Sequence, residues 1–349
     1  MKMLEGTWTA AVTPLTHDLC VDWDGLKKNI EFQISQGITG VVPAGTTGES
    51  PTLDWDEHGR VIESVISLCK GRCGILAGSG SNCTSEAIAS TRHAVKSGAD
   101  AVLLVDCYYN GPSSSELRDE YYGAIASEFP NTTVVPYIIP GRSGTALAAE
   151  DLALLNAKFP NVNTVKEATG DLHRMARTRS LLGDGFSIMS GDDDLTFDMM
   201  TLADVRANGV ISVISNVAPA ALSKMVKFIL SGDQDAARKV YEGLAPLFGI
   251  VTVRVDNERI LPNGKRVAVT DRYRNPAAIK VLMNGLGMPS GPCRKPLGKM
   301  SRAGVEVVRD AARSVWTKAP EFLAPVGEYY GVDVEARLSD GSIWDGLAQ

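Results

Sequence analysis

Lys166 closes a short apolar run, Val-Asn-Thr-Val-Lys at 162–166, and Glu167-Ala168-Thr169-Gly170 follow at once. Period-two alternation puts Thr164 and Lys166 on one face of such a strand and Val165 on the other. An ammonium held among packed strands is costly to desolvate, so it pairs with a carboxylate or its pKa falls toward neutrality. The first outcome makes Lys166 half of a buried ion pair, with Glu167 or another acid as partner. The second makes it a nucleophile, because a neutral amine attacks a ketone and forms a Schiff base.

Three further groups bear on that choice. Gly45-Thr46-Thr47-Gly48-Glu49-Ser50 brackets two hydroxyls with two glycines. Such a turn exposes backbone N–H groups beside side-chain donors and suits a carboxylate or a developing oxyanion. It also fits a plain glycine turn with a hydroxyl cap on the next helix. Tyr137 ends the strand-like segment directly before the lysine segment, so its phenol can pass protons to an imine with Thr46 as relay. It could equally fill a barrel mouth with its hydroxyl satisfied by backbone. Arg142, on the loop after Tyr137, could bind a substrate carboxylate bidentately, although a loop arginine is by default a surface residue. Asp192-Asp193-Asp194 has the look of a Mg²⁺ site, but helix N-capping is the preferred reading, with no second acidic cluster at a strand end.

The elements that must position these groups alternate regularly. Strand-like runs fall at 8–12, 40–43, 74–77, 101–105, 133–138, 162–166, 186–189 and 209–213. Helix-length amphipathic segments such as 24–36, 56–69, 85–96, 115–128 and 171–182 lie between them, the third opening on Thr84-Ser85 as N-cap residues. Eight such units point to an α/β fold, a (β/α)8 TIM barrel. Thr13, Thr46, Thr47, Ser79, Tyr108, Tyr109, Tyr137, Lys166, Gly191, Asp192 and Ser212 all sit at or just past strand C-termini, the rim that carries barrel active sites. Beyond Val217 the pattern turns helical, at 220–230, 235–248, 277–286 and 302–317. Residues 252–274 alternate around Pro262-Asn263-Gly264 and predict an inserted β-hairpin. The expected organisation is a catalytic barrel over 1–230, a helical region with the hairpin over 231–319, and an extension over 320–349 lying on a surface of this or another subunit.

Composition excludes several classes. The 349 residues are 44% hydrophobic and 22% charged, with a net charge of −6 and no long basic run, which argues against nucleic acid and anionic membranes as partners. The opening residues 1–6 hold no signal-type apolar segment, and no run of about 18 apolar residues occurs. The six cysteines form no CxxC pair and the four histidines no metal cluster. They read as reduced thiols of a cytoplasmic protein.

Taken together, these motifs resemble the dihydrodipicolinate synthase and N-acetylneuraminate lyase family of Schiff-base aldolases. The resemblance covers about residues 5 to 318 and rests on the Gly-Thr-Thr-Gly-Glu-Ser turn, Tyr108-Tyr109-Asn110, Tyr137 with Pro140 and Arg142, residues 165–170, residues 190–193 and Gly209-Val210-Ile211-Ser212. It implies that Lys166 forms an imine with pyruvate and that Tyr137 moves its protons. Thr46 would relay them, together with Tyr109 reaching across from a neighbouring subunit. Thr47 and the Ile211 backbone would hold the pyruvate carboxylate, Gly191 would line the pocket, and Arg142 would bind the second substrate, a small aldehyde. The Thr-Thr pair and Arg142 look more like the synthase branch, which condenses pyruvate with aspartate semialdehyde, than the sialic acid branch. No cofactor or metal is implied, and the assembly would be a homotetramer, a dimer of dimers. Ser50, Trp55, His58, Asn82, Glu86 and Tyr108 match positions of a lysine effector site in many synthases.

Three departures stand against the family pattern: Ile138 where asparagine is usual, Cys107 where proline is usual, and the added hairpin and C-terminal extension. They leave the imine chemistry intact and bear on the acceptor aldehyde. The rivals are an aldolase for a 2-keto-3-deoxy sugar acid, a metal-dependent enolate enzyme using Asp192 and Asp193, and a catalytically silent barrel.

Overall fold

The computed structural model describes residues 3–349. Eight strands close a parallel barrel in chain order: β1 (Gly6–Ala10), β2 (Gly40–Val42), β3 (Gly74–Gly78), β4 (Ala101–Val105), β5 (Thr133–Ile138), β6 (Thr164–Glu167), β7 (Ser187–Ser190) and β8 (Gly209–Ser212). The alternation of the sequence becomes two separate cores. Inward side chains, among them Trp8, Leu76, Leu103, Val135, Tyr137, Met189 and Ile211, fill the barrel. Outward ones, such as Val41, Val102, Val134, Val165 and Ile188, pack under the surrounding helices. The Trp8 indole fits only because two neighbours are glycine. A Cβ on Gly40 would lie 2.3 Å from its ring, and one on Gly74 2.5 Å.

The intervening helices follow local signals with some differences. Asp54 and Glu57 form a reciprocal capping box that starts Trp55–Cys69. The helix Thr84–Ser97 begins one residue earlier than expected. Cys83 is its N-cap and makes no side-chain cap bond, so Thr84-Ser85 do not cap it. The segment after β4 runs from Ser114–Glu116 through a wide π turn, Leu117–Gly123, to Ala124–Glu128.

Beyond β8 come Pro219–Leu230, Gln234–Phe248, Ala277–Leu286 and Arg302–Lys318. The hairpin is present as β9 (Thr252–Ile260) and β10 (Arg266–Arg274). Its turn is longer than an Asn-Gly pair alone would make: residues 261–265 separate the strands, with Leu261 N–H donating to the Lys265 carbonyl. The final stretch lies on this subunit. Trp344 is fully buried against Gly285, and Arg337 donates to the carbonyls of Asn284 and Gly285. Among the described residues no helix is long and apolar enough to cross a membrane.

Candidate active site

Parallel register sets Tyr137 of β5 beside Lys166 of β6. The Lys166 Nζ lies 4.0 Å from the centroid of the Tyr137 ring. Lys166 is only 6% exposed, and no ion pair among the described residues includes it. Burial brings its pKa down to about 8, against the upward pull of Asp192 and Asp193. The ion-pair alternative fails on geometry. Glu167, one residue on, pairs with Arg174 at 3.2 Å, as strand alternation requires. Lys280 supplies the contrast. It is buried too, but its Nζ donates to Glu49 at 2.6 Å.

Burial pushes the Tyr137 phenol up to about 12, and the charge of Arg142 and a hydrogen bond with Thr46 oppose that only in part. The phenol therefore stays protonated at working pH, an acid that can donate and take back a proton through Thr46. Thr47 is buried, and its hydroxyl accepts from Asn275 Nδ2 at 2.9 Å. The N–H groups of Gly48, Glu49 and Ser50 bond inside the turn, so these three are not free to hold an anion. Glu49 locks the turn from below through Lys280 and through the Arg294 N–H at 2.8 Å. Sequence reasoning missed this anchor because its members lie far apart in the chain.

The wall next to Lys166 is β7. Gly191 lines the cavity, and a Cβ there would come within 3.0 Å of the Lys166 Cε and 2.8 Å of the Ala168 Cβ. Asp192 lines the cavity as well, and burial raises its pKa to about 6. The capping expectation does not hold for Asp192, which makes no side-chain cap bond at the short helix Asp193–Leu195. Asp193 turns away, accepting from the Ser212 hydroxyl and from the N–H groups of Val213 and Ile214 at 2.9 and 3.2 Å. Its oxygens are committed to the loop after β8, which leaves Asp192 without a second carboxylate for a cation.

The cavity measures about 200 Å³, room for a small substrate. Thr46, Thr47, Tyr137, Arg142, Lys166 and Gly191 share its wall. One expected residue does not. Ile211 is buried inside the barrel, and Val213 is what faces the cavity from that side. Tyr109 projects outward, 92% exposed, with a φ of 77°. The hairpin base, through Arg272 and Arg274, closes over the mouth beside Arg142, a placement the sequence did not disclose.

A closed parallel barrel with an unpaired, buried lysine beneath a tyrosine is the architecture of a class I, amine-using lyase. The chain belongs to the dihydrodipicolinate synthetase family, whose sequence profile matches residues 3–314. It is 39% identical over 309 residues to the 4-hydroxy-tetrahydrodipicolinate synthase of Methanothrix thermoacetophila, covering 88% of this chain and 96% of that one. Among solved structures, the 4-hydroxy-tetrahydrodipicolinate synthase of Methylacidiphilum fumariolicum SolV superposes with a TM-score of 0.80 at 34% identity, covering 93% of this chain and 99% of that one. The lysine-bound synthase of Cyanidioschyzon merolae gives a TM-score of 0.80 at 31% identity, covering 90% and 99%.

Proposed function

We propose that this enzyme condenses pyruvate with aspartate semialdehyde, as a 4-hydroxy-tetrahydrodipicolinate synthase. The observation that carries the reading is Lys166, buried, unpaired and beneath Tyr137. Its neutral Nζ attacks the ketone carbon of pyruvate, and the ketone oxygen leaves as water after protonation through Tyr137 and Thr46. Loss of a methyl proton gives an enamine, whose carbon then attacks the aldehyde. Thr47 holds the pyruvate carboxylate, Gly191 keeps the wall open, and Arg142 takes the anionic end of the acceptor. The names carried by the relatives support the choice of acceptor.

A homotetramer built from two dimers goes with this reading. The exposed Tyr109 ring is free to complete the proton relay of a second copy. A cytoplasmic location goes with the dispersed cysteines.

The test is turnover of pyruvate with a panel of aldehydes, aspartate semialdehyde first. The proposal expects it to be the preferred acceptor. Preference for a sugar-derived aldehyde would replace it.

A further inference from the structure

The charges of the β9–β10 hairpin divide sharply along its length. Toward the tip they are compensated: Arg259 pairs with Asp271 at 2.6 Å and Arg266 with Glu258 at 2.8 Å, while Thr270 donates to Asp256 at 2.5 Å. At the base they are not. Register puts Arg272 directly opposite Arg254 and Arg274 opposite Thr252, and alternation puts all four on one face. Among the described residues, none of these three arginines has a carboxylate partner. Like charges directly opposite in a sheet are unfavourable, so folding alone does not account for the arrangement.

That face meets the active site. Arg272 and Arg274 line the Lys166 cavity together with Arg142. The two loops also cross: Arg142 Nη2 donates to the Asn275 carbonyl at 2.8 Å, and Arg274 Nη1 donates to the Gly141 carbonyl at 2.7 Å. Each bond uses part of a guanidinium and leaves other N–H groups for a ligand. The acid on the cavity wall, Asp192, acts on Lys166 from the end of the neighbouring strand β7.

We propose that Arg272 and Arg274 are specificity-determining residues that bind the anionic group of the acceptor aldehyde jointly with Arg142. The hairpin thus favours acceptor aldehydes carrying a carboxylate or an equivalent anion. This inference rests on the Schiff-base reading above and deepens it on the acceptor side.

The experiment compares the wild type with Arg272→Gln, Arg274→Gln and the double variant. Losing charge-assisted hydrogen bonds raises the KM for aspartate semialdehyde roughly 10-fold to 100-fold in the double variant, with the KM for pyruvate unchanged. Arg272→Lys keeps the charge and recovers part of the loss. Turnover of an acceptor aldehyde without a charged group stays at the wild-type level. Among the described residues the Arg272 side chain makes no hydrogen bond to backbone, so Arg272→Gln reports even if Arg274→Gln loosens the hairpin. Borohydride trapping of pyruvate on Lys166 is run on every variant. Its absence marks failure of the Schiff-base reading, while an unchanged semialdehyde KM in enzyme that still traps pyruvate overturns this inference. A parallel rise in both KM values, the signature of a general field, overturns it too.

Discussion

Tyr137 and Lys166 are cross-strand partners, and the Lys166 Nζ lies 4.0 Å from the centroid of the Tyr137 ring. Pairing of β5 with β6 keeps the phenol and the amine on neighbouring strands. Asp192, just past the neighbouring strand β7, opposes the fall in the lysine pKa.

That opposition gives a pH prediction with a definite sign. The neutral fraction of Lys166 grows as pH rises through about 8, so the rate of pyruvate imine formation should rise through that range and then level. Asp192→Asn removes a charge that holds the proton on, and the midpoint should move to lower pH. A stopped-flow pH series on both proteins measures it. An upward shift would contradict the role given to Asp192.

Gly191→Ala places a methyl against the Lys166 Cε and the Ala168 Cβ. Overpacking of this kind costs about 1–3 kcal/mol, and here the strain falls on the reacting side chain. Imine formation should slow well beyond any loss in melting temperature. Equal imine rates in the two proteins would show that the wall has more room than the contacts indicate.

Tyr109→Phe should lower kcat while leaving the circular dichroism spectrum unchanged, since the ring touches little of its own subunit. Sedimentation run alongside activity decides the assembly question. A fully active monomer would rule out a relay completed by the neighbour.

The expected effector site finds partial form. Ser50, Trp55, His58, Glu86 and Tyr108 line a cavity of about 420 Å³ that also touches Thr46 and Arg142, whereas Asn82 does not line it. Glu86 accepts from the Ser81 hydroxyl at 2.6 Å and has charge for an ammonium. L-Lysine should inhibit, and Glu86→Gln should weaken that inhibition with the uninhibited rate kept. A flat titration to millimolar lysine would remove the prediction.

The barrel and the pairing of Tyr137 with Lys166 were legible because both rest on local pattern. Apolar runs mark strands, and residues at strand ends land on one rim. Lys280 with Glu49 was not legible, since nothing local ties a helix lysine to a turn more than two hundred residues earlier. Asp193 read as a cap because acidic residues in a first turn have that local use, yet its oxygens close a loop of the next strand. Alternation gave the hairpin its two faces but not the direction they look, and the arginines at its base gain meaning only from Arg142 beside them.

The central claim is the imine on Lys166. Incubation with pyruvate and borohydride should attach one reduced adduct per chain, mapped by peptide mass spectrometry to Lys166. Tyr137→Phe should slow its formation roughly 10²-fold to 10⁴-fold, the span for a lost acid–base group. Lys166→Arg should abolish adduct and turnover together, because a guanidinium stays protonated. An active enzyme whose mass is unchanged by pyruvate and borohydride, or whose adduct maps to another lysine, would contradict the account.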